Sequence, residues 1–285
     1  MKILVTGATG FIGHHVVNWL VENRPNDEII ATGTSEEKAK KYSWFDKVSF
    51  IPCDYFAEEK NYYEFFKQPD LLIHLAWKGL PNYMMPFHMT ENLPVEMRFL
   101  SSFIAAEKKP KVAVTGTCYE YGVVNGCIAE DHPTNPNTYY SAAKDALRCY
   151  LELSANANAA PWNWIRLFFI YGEGQSPKSL LPQLDAAIAR GDAEFPMSGG
   201  AQLRDYLPAE TVAENICRIA LSDVNGVVNN CSGKPISVRE LVERRISEAG
   251  SSIKPKLGVY GYPVYEGMEF WGDDTKLREV IKDGA

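Results

Sequence analysis

Two residues of this chain have the types and spacing for proton transfer. Tyr140 and Lys144 stand four apart in Tyr139-Tyr140-Ser141-Ala142-Ala143-Lys144. A phenol is a poor acid at neutral pH, with a reference pKa of about 10. An ammonium one helical turn away favours the phenolate, so the spacing predicts a lowered Tyr140 pKa and proton exchange with a sugar or alcohol oxygen. Tyr139 is adjacent, but only Tyr140 lies four residues before Lys144. At the other end of the domain, Met1-Lys2-Ile3-Leu4-Val5-Thr6-Gly7-Ala8-Thr9-Gly10-Phe11-Ile12-Gly13 reads as a short apolar strand, a glycine turn and the start of a helix. Such a turn holds a dinucleotide pyrophosphate on backbone N–H groups. A hydride carrier beside a proton donor makes an oxidoreductase site.

Gly7, Gly10 and Gly13 have the spacing Gly-x-x-Gly-x-x-Gly, which serves a tight turn, close approach to phosphate and close packing of helix on strand. Thr9, Phe11 and Ile12 lie within that loop and join the candidate cofactor contacts. Asp54 follows the apolar run Ser49-Phe50-Ile51-Pro52 and is placed to receive an adenine amino group or to stand as an exposed turn residue. In Ile73-His74-Leu75-Ala76, Leu75 and Ala76 let the chain pass close to a ribose, while His74 reads as a satisfied core histidine. The second strand ends Ala31-Thr32-Gly33-Thr34-Ser35 without an acidic residue to bind the ribose hydroxyls of NAD. Thr34 and Ser35 as donors, with Lys38, Lys40 and Lys41 nearby, favour NADP(H), against Glu36 and Glu37, which favour NAD(H).

The elements that must position these residues follow from alternating apolar runs and amphipathic stretches, the pattern of βαβ units and a parallel sheet. Strands are expected at Lys2–Thr6, Glu28–Thr32, Val48–Pro52, Leu71–Leu75, Lys111–Thr115 and Trp164–Phe168. Helices are expected at Gly13–Asn23, Tyr62–Phe66, Leu93–Ala106 and Ser141–Ala155. Beyond Tyr171 the texture changes: a loop at 172–177, helices at Leu180–Gly191, Thr211–Leu221 and Val238–Ala249, and a hairpin tip at Gly199-Gly200-Ala201. The expected fold is α/β, a Rossmann-type doubly wound parallel sheet with a smaller C-terminal α/β substrate domain. The division falls at 1–165 for the dinucleotide, with short returns from about 206–232, and 166–285 for the substrate.

A net charge of -7 argues against a nucleic-acid or anionic-membrane surface, so an anionic ligand must be met by a few local cations. No apolar run approaches the length of a membrane span. Ile3-Leu4-Val5 leads directly into the glycine turn, so no signal peptide is expected and the protein is expected in the cytoplasm. The six cysteines show no Cys-x-x-Cys spacing, and no metal site is expected. His14 and His15, being adjacent, are not expected to share a helix face.

Taken together the segments resemble the extended short-chain dehydrogenase/reductases, the nucleotide-sugar epimerase, dehydratase and reductase group. The glycine loop and the Tyr140/Lys144 pair carry the resemblance. Thr115-Gly116-Thr117-Cys118-Tyr119-Glu120-Tyr121-Gly122 is similar to the family's strand-end segment, with Thr117 five residues before the glycine. Arg166-Leu167-Phe168-Phe169-Ile170-Tyr171-Gly172 is similar to Arg-x-x-Asn-Val-Tyr-Gly, and Arg204-Asp205-Tyr206-Leu207 to Arg-Asp-Phe-Val.

The resemblance implies Tyr140 as general acid/base, Thr117 as a second hydrogen-bond donor to the same sugar oxygen, and Lys144 as the group that lowers the Tyr140 pKa and holds the nicotinamide ribose. Read without that resemblance, Thr117 is a strand-end hydroxyl satisfying local backbone. The 4,6-dehydratases carry Asp-Glu where this chain has Cys118 and Tyr119, and the fucose-type epimerase-reductases carry a Cys at the Tyr119 position. What remains is reduction of a nucleotide-activated 4-keto-6-deoxy sugar, with 4-epimerisation through a retained NAD as the alternative and a non-catalytic dinucleotide sensor or scaffold as a lower one. Phe169 replaces the family's sugar-nucleotide Asn, which leaves Arg204 as a diphosphate cation or as a salt-bridge partner of Asp205 or Glu210. Cys118 and Lys178 complete the candidate substrate contacts, Lys178 being equally readable as solvated. A homodimer through the helices at 93–106 and 141–155 is the family's common assembly.

Overall fold

In the computed structural model, which describes residues 1–283, a seven-stranded sheet organises the chain. From one edge its strands are Gly226–Asn230, Trp162–Leu167, Lys111–Thr117, Leu71–His74, Lys2–Thr6, Glu28–Thr32 and Ser49–Phe50, every neighbouring pair parallel. The order runs outwards in both directions from Lys2–Thr6 and Leu71–His74, so the crevice for a ligand opens at the carboxyl ends of these two strands. Side chains alternate across a strand. Ile3 and Val5 accordingly pack with Val16, Leu20 and Ile216 on one face. Leu4 packs with Phe99, Phe103, Leu147 and Trp164 on the other.

The first two strands and the first helix, Gly13–Asn23, form as expected. Other bounds move for identifiable reasons. The third strand is only Ser49–Phe50, not Val48–Pro52; Pro52 has no N–H to give a ladder. Leu71–Leu75 stops at His74, and Lys111–Thr115 runs on to Thr117. Trp164–Phe168 begins two residues earlier and is Trp162–Leu167. Tyr62–Phe66 ends at Phe65, and Leu93–Ala106 closes at Ile104 after a π-helical turn over His88–Asn92. The helix expected at Ser141–Ala155 is Tyr139–Ala157, because Thr138 caps it by accepting from Ser141 N. That cap places Tyr140 and Lys144 in the first two turns.

A strand not expected from sequence, Gly226–Asn230, closes the sheet against Trp162–Leu167. Its polar end is buried but satisfied: the Tyr121 hydroxyl donates to Asn229 Oδ1 at 2.8 Å and Asn215 Nδ2 to Asn230 Oδ1 at 2.9 Å. Ahead of it, Ala209–Leu221 starts two residues before the expected Thr211. The hairpin expected at 199–201 is absent among the described residues: Glu194–Pro196 pairs with Lys254–Lys256, whereas Leu203–Arg204 joins a separate small sheet with Ile236–Ser237, Glu269–Gly272 and Gly126–Ile128. Helix Leu180–Arg190, ended by Gly191 in the left-handed conformation, packs with Val238–Glu248 through Leu184, Leu241 and Val242.

Candidate functional site

The glycine turn joins the strand Lys2–Thr6 to the helix Gly13–Asn23 at the opening of the crevice. Gly7 has φ +66°, and a Cβ there would stand 2.9 Å from Ala76 N. At Gly13 a Cβ would come within 2.0 Å of the Gly7 carbonyl oxygen. Strand, turn and helix are therefore packed backbone on backbone, and the helix starts at Ile12 without a side-chain cap. A helix start without a side-chain cap, behind a glycine turn too tight for any Cβ, fits a dinucleotide pyrophosphate. Leu75 and Ala76 lie against Gly7, and both donate through backbone N–H to Thr6 Oγ1, at 3.2 and 3.4 Å. Thr6 Oγ1 also meets His74 Nδ1 at 2.8 Å, and His74 Nε2 meets Glu96 Oε2 at 2.7 Å. His74 is thus a satisfied core histidine that fixes the turn.

At the second strand's tip, Thr34 is exposed and Ser35 accepts from Lys38 N as the cap of a short helix. Lys40 is paired with Glu36 at 2.8 Å. Asp54 is exposed and accepts from Phe56 N, the turn alternative for that residue. Against expectation, His14 and His15 do share a face. Their ring centroids lie 3.8 Å apart, with His14 stacked on Tyr42 and His15 Nε2 bonded to the Glu173 carbonyl.

Tyr140 and Lys144 lie on the buried face of their helix, 7% and 2% exposed. Thr117, at the end of the third-from-edge strand Lys111–Thr117, stands near enough to the Tyr140 phenol to favour its ionised form, while its hydroxyl oxygen accepts from Tyr119 N at 3.3 Å. Lys144 Nζ donates to the Thr115 carbonyl at 2.9 Å. The expected lowering of the Tyr140 pKa is not what this geometry gives. Burial pushes the phenol well above its ordinary value, with Tyr83, Glu120 and Cys118 adding to the rise and Thr117 opposing it. Desolvation also lowers Lys144 to about 8, against the raising effect of Glu96 and Glu120. Removal from water outweighs any attraction between the two groups.

The strand end holds a device that sequence reading left unassigned. Glu120 is fully buried; it accepts from Thr117 N at 2.8 Å, from Trp164 Nε1 at 3.0 Å and from Arg166 Nε at 2.8 Å. Thr117 is therefore held by its own backbone as the cap of the turn Cys118–Tyr121. The signal available was the Thr-x-x-Glu spacing of a capping box.

Beyond the strand end, Cys118 and Phe169 line one apolar cluster with Tyr119 and Phe270. Arg204 is buried, but neither Asp205 nor Glu210 is its partner. Its Nη2 and Nε meet Glu266 Oε2 at 2.7 and 3.1 Å, and Nη1 donates to the Leu203 carbonyl at 2.8 Å. The Tyr119 hydroxyl donates to the other oxygen of Glu266 at 2.8 Å, a residue sequence reading did not single out. Asp205 instead accepts from the backbone N–H groups of Ser232 and Gly233. Lys178 is exposed. Among the described residues no disulfide is formed, no cluster suited to a metal ion occurs, and no helix is long and apolar enough to cross a membrane.

A model of the NAD dependent epimerase/dehydratase family matches residues 3–231. The chain is 30% identical over 274 residues to dTDP-6-deoxy-L-talose 4-dehydrogenase (NAD(+)) of Aggregatibacter actinomycetemcomitans, covering 95% of this chain and 99% of that one. It is 24% identical over 293 residues to GDP-6-deoxy-D-talose 4-dehydrogenase of the same organism, covering 99% and 91%. Among solved structures, UDP-glucuronic acid 4-epimerase from Bacillus cereus, in complex with UDP-glucuronic acid and NAD, matches with a TM-score of 0.82 at 21% identity, over 99% of this chain and 93% of that chain. This likeness is one of fold.

Proposed function

Because the chain belongs to the NAD dependent epimerase/dehydratase family, we propose that it interconverts a nucleotide-activated 6-deoxy sugar and its 4-keto form, with reduction of the ketone as the working direction. The observation that carries the reading is the buried Tyr140 phenol, placed on one helix with the buried Lys144, whose bond to the Thr115 carbonyl ties that helix to the strand ending in Thr117. The 4-dehydrogenase names of two relatives agree with chemistry at one sugar carbon. In this reading residues 1–165, with the return through about 206–232, serve the cofactor and residues 166–285 the nucleotide sugar.

A bound nicotinamide dinucleotide supplies or accepts the hydride at C4. The residues of the chain do the rest. Gly7, Gly10 and Gly13, with Thr9, Phe11 and Ile12, admit the pyrophosphate to the uncapped helix start. Tyr140 gives its proton to the C4 oxygen as charge develops there, and Thr117 donates a second hydrogen bond to that oxygen. Lys144 holds the ribose with the donors its Thr115 bond leaves over. Cys118 and Tyr119 cannot supply the paired carboxylates that water elimination needs, and burial holds both well above their ordinary pKa values. NADP(H) is favoured by the strand tip Gly33-Thr34-Ser35, which carries no carboxylate.

The test is oxidation of NADPH and NADH, assayed separately, with 4-keto-6-deoxy sugars carried on dTDP, GDP, UDP and CDP, and the product read by NMR. Stoichiometric NADPH consumption with a new C4 hydroxyl is expected. Conversion of one sugar epimer to another without added cofactor would replace the reductase by a 4-epimerase.

A further inference from the structure

Trp77 stands three residues past His74 and covers the proton-transfer pair. Its ring centroid is 4.1 Å from Lys144 Nζ, and its ring meets that of Tyr140 edge-on at 5.9 Å. Trp77 Nε1 donates to His88 Nδ1 at 3.0 Å, and Asn92 Nδ2 approaches the same nitrogen at 3.3 Å. With Nδ1 accepting, the ring proton sits on Nε2, which donates to the Asn82 carbonyl at 3.1 Å. One residue on, the Tyr83 carbonyl accepts from Tyr140 N at 3.0 Å. Hydrogen bonds thus lead from the indole through His88 to the Asn82 carbonyl, and the next residue's carbonyl holds the backbone N–H of Tyr140.

We propose that Trp77 is a positioning residue of the site, its indole face holding the Lys144 ammonium and its N–H, through His88, fixing that face in place. The inference rests on the proton-transfer reading of Tyr140 and Lys144. A desolvated ammonium over an indole face gains electrostatic stabilisation from the ring quadrupole. An indole face, unlike a carboxylate, takes none of the ammonium's N–H protons. One donor is committed to Thr115 and the others stay free for a ribose. The remaining charged or titratable groups facing Lys144 are Glu96 on helix Leu93–Ile104, Glu120 on the strand-end turn, His88 on the π-helical turn and Tyr140 on its own helix. None of the hydrogen bonds described at Lys144 joins it to these groups.

The experiment compares Trp77→Leu, Trp77→Phe and Tyr140→Phe by kcat, KM and the pH profile of kcat/KM for 4-keto sugar reduction. Trp77→Leu is expected to lower kcat about tenfold, leave the KM for the nucleotide sugar within twofold, and move the alkaline limb of the profile to lower pH. Trp77→Phe, which keeps a ring face but gives up the N–H to His88, is expected to reverse part of the shift in the limb. If Trp77→Leu does not fold, Trp77→Met takes its place with the same expected outcomes. A wild-type limb and kcat in the Leu or Met variant would overturn the inference, as would equal losses in the Phe variant. Wild-type activity in Tyr140→Phe would instead sink the reading beneath it, so the two failures are distinguishable.

Discussion

Lys144 Nζ donates to the main-chain carbonyl of Thr115 at 2.9 Å, tying the helix that carries Tyr140 to the strand that ends in Thr117. The three groups proposed for proton transfer thus share one rigid joint between a capped helix and a central strand. Rigid support of this kind sets distances that loops do not hold as well.

The joint makes the pH dependence of the two reaction directions differ. In the free protein Tyr140 stays protonated throughout the neutral and mildly alkaline range, because its pKa is raised by burial. Lys144 loses its charge as pH rises through about 8. Ketone reduction needs the phenol protonated and the ammonium charged, so its kcat/KM should be level near pH 7 and fall above about 8. Oxidation of the alcohol needs the phenolate beside the ammonium, so its kcat/KM should rise towards pH 8 and level off above it, where further phenolate is offset by loss of the Lys144 charge. Profiles of kcat/KM in both directions check this. A reduction profile still level at pH 9.5 would contradict the role of Lys144.

Lys144 is also expected to cost stability. Its folded pKa is depressed from 10.5 to about 8, so the folded state binds the proton less tightly than the unfolded one. Below pH 8 both states are charged and the full penalty applies, of order 3 kcal/mol at 1.36 kcal/mol per unit; it fades between pH 8 and 10.5. Lys144→Met removes the penalty together with a cation–π contact worth about 2 kcal/mol. The expected outcome at pH 7 is loss of activity with a melting temperature unchanged or a few degrees higher. Calorimetry of both proteins measures it, and a melting temperature ten degrees lower would refute it.

Glu120→Ala should be among the most damaging single substitutions. It leaves the buried Arg166 guanidinium, Trp164 Nε1 and Thr117 N without their acceptor. Breaking a buried pair from one side costs about 3–5 kcal/mol. Urea unfolding should show that loss, and Glu120→Gln, which keeps an acceptor, should lose less.

Gly13→Ala tests the cofactor cradle. The new Cβ would fall 2.0 Å from the Gly7 carbonyl oxygen and 2.9 Å from Ala8 Cα, so turn and helix must part. Overpacking of this kind costs roughly 1–3 kcal/mol. Affinity for NADPH, followed by fluorescence titration, should fall at least tenfold while the fold survives.

Much of this was legible in the sequence. The glycine spacing, the apolar strands around it and the Tyr140/Lys144 interval are local patterns, and each produced its element or juxtaposition. The edge strand Gly226–Asn230 was not legible, because Asn229 and Asn230 break its apolar run and find partners such as Tyr121 and Asn215 only from elsewhere in the chain. Glu266 was missed for a similar reason: it lies 62 residues from Arg204 and 147 from Tyr119, and only the small sheet brings them together. Spacing gives the opposite sign for the Tyr140 shift because it reports the nearby charge and not the loss of water, which tertiary packing decides.

The most direct test of the central claim is the turnover of Tyr140→Phe, measured with NADPH and the best 4-keto-6-deoxy nucleotide sugar alongside a direct measurement of NADPH affinity. Removal of a general acid typically costs 10²–10⁴-fold. The expected result is a fall in kcat of about that size with NADPH affinity within threefold of wild type. Turnover within threefold of wild type, with the cofactor bound as tightly, would contradict Tyr140 as the proton donor.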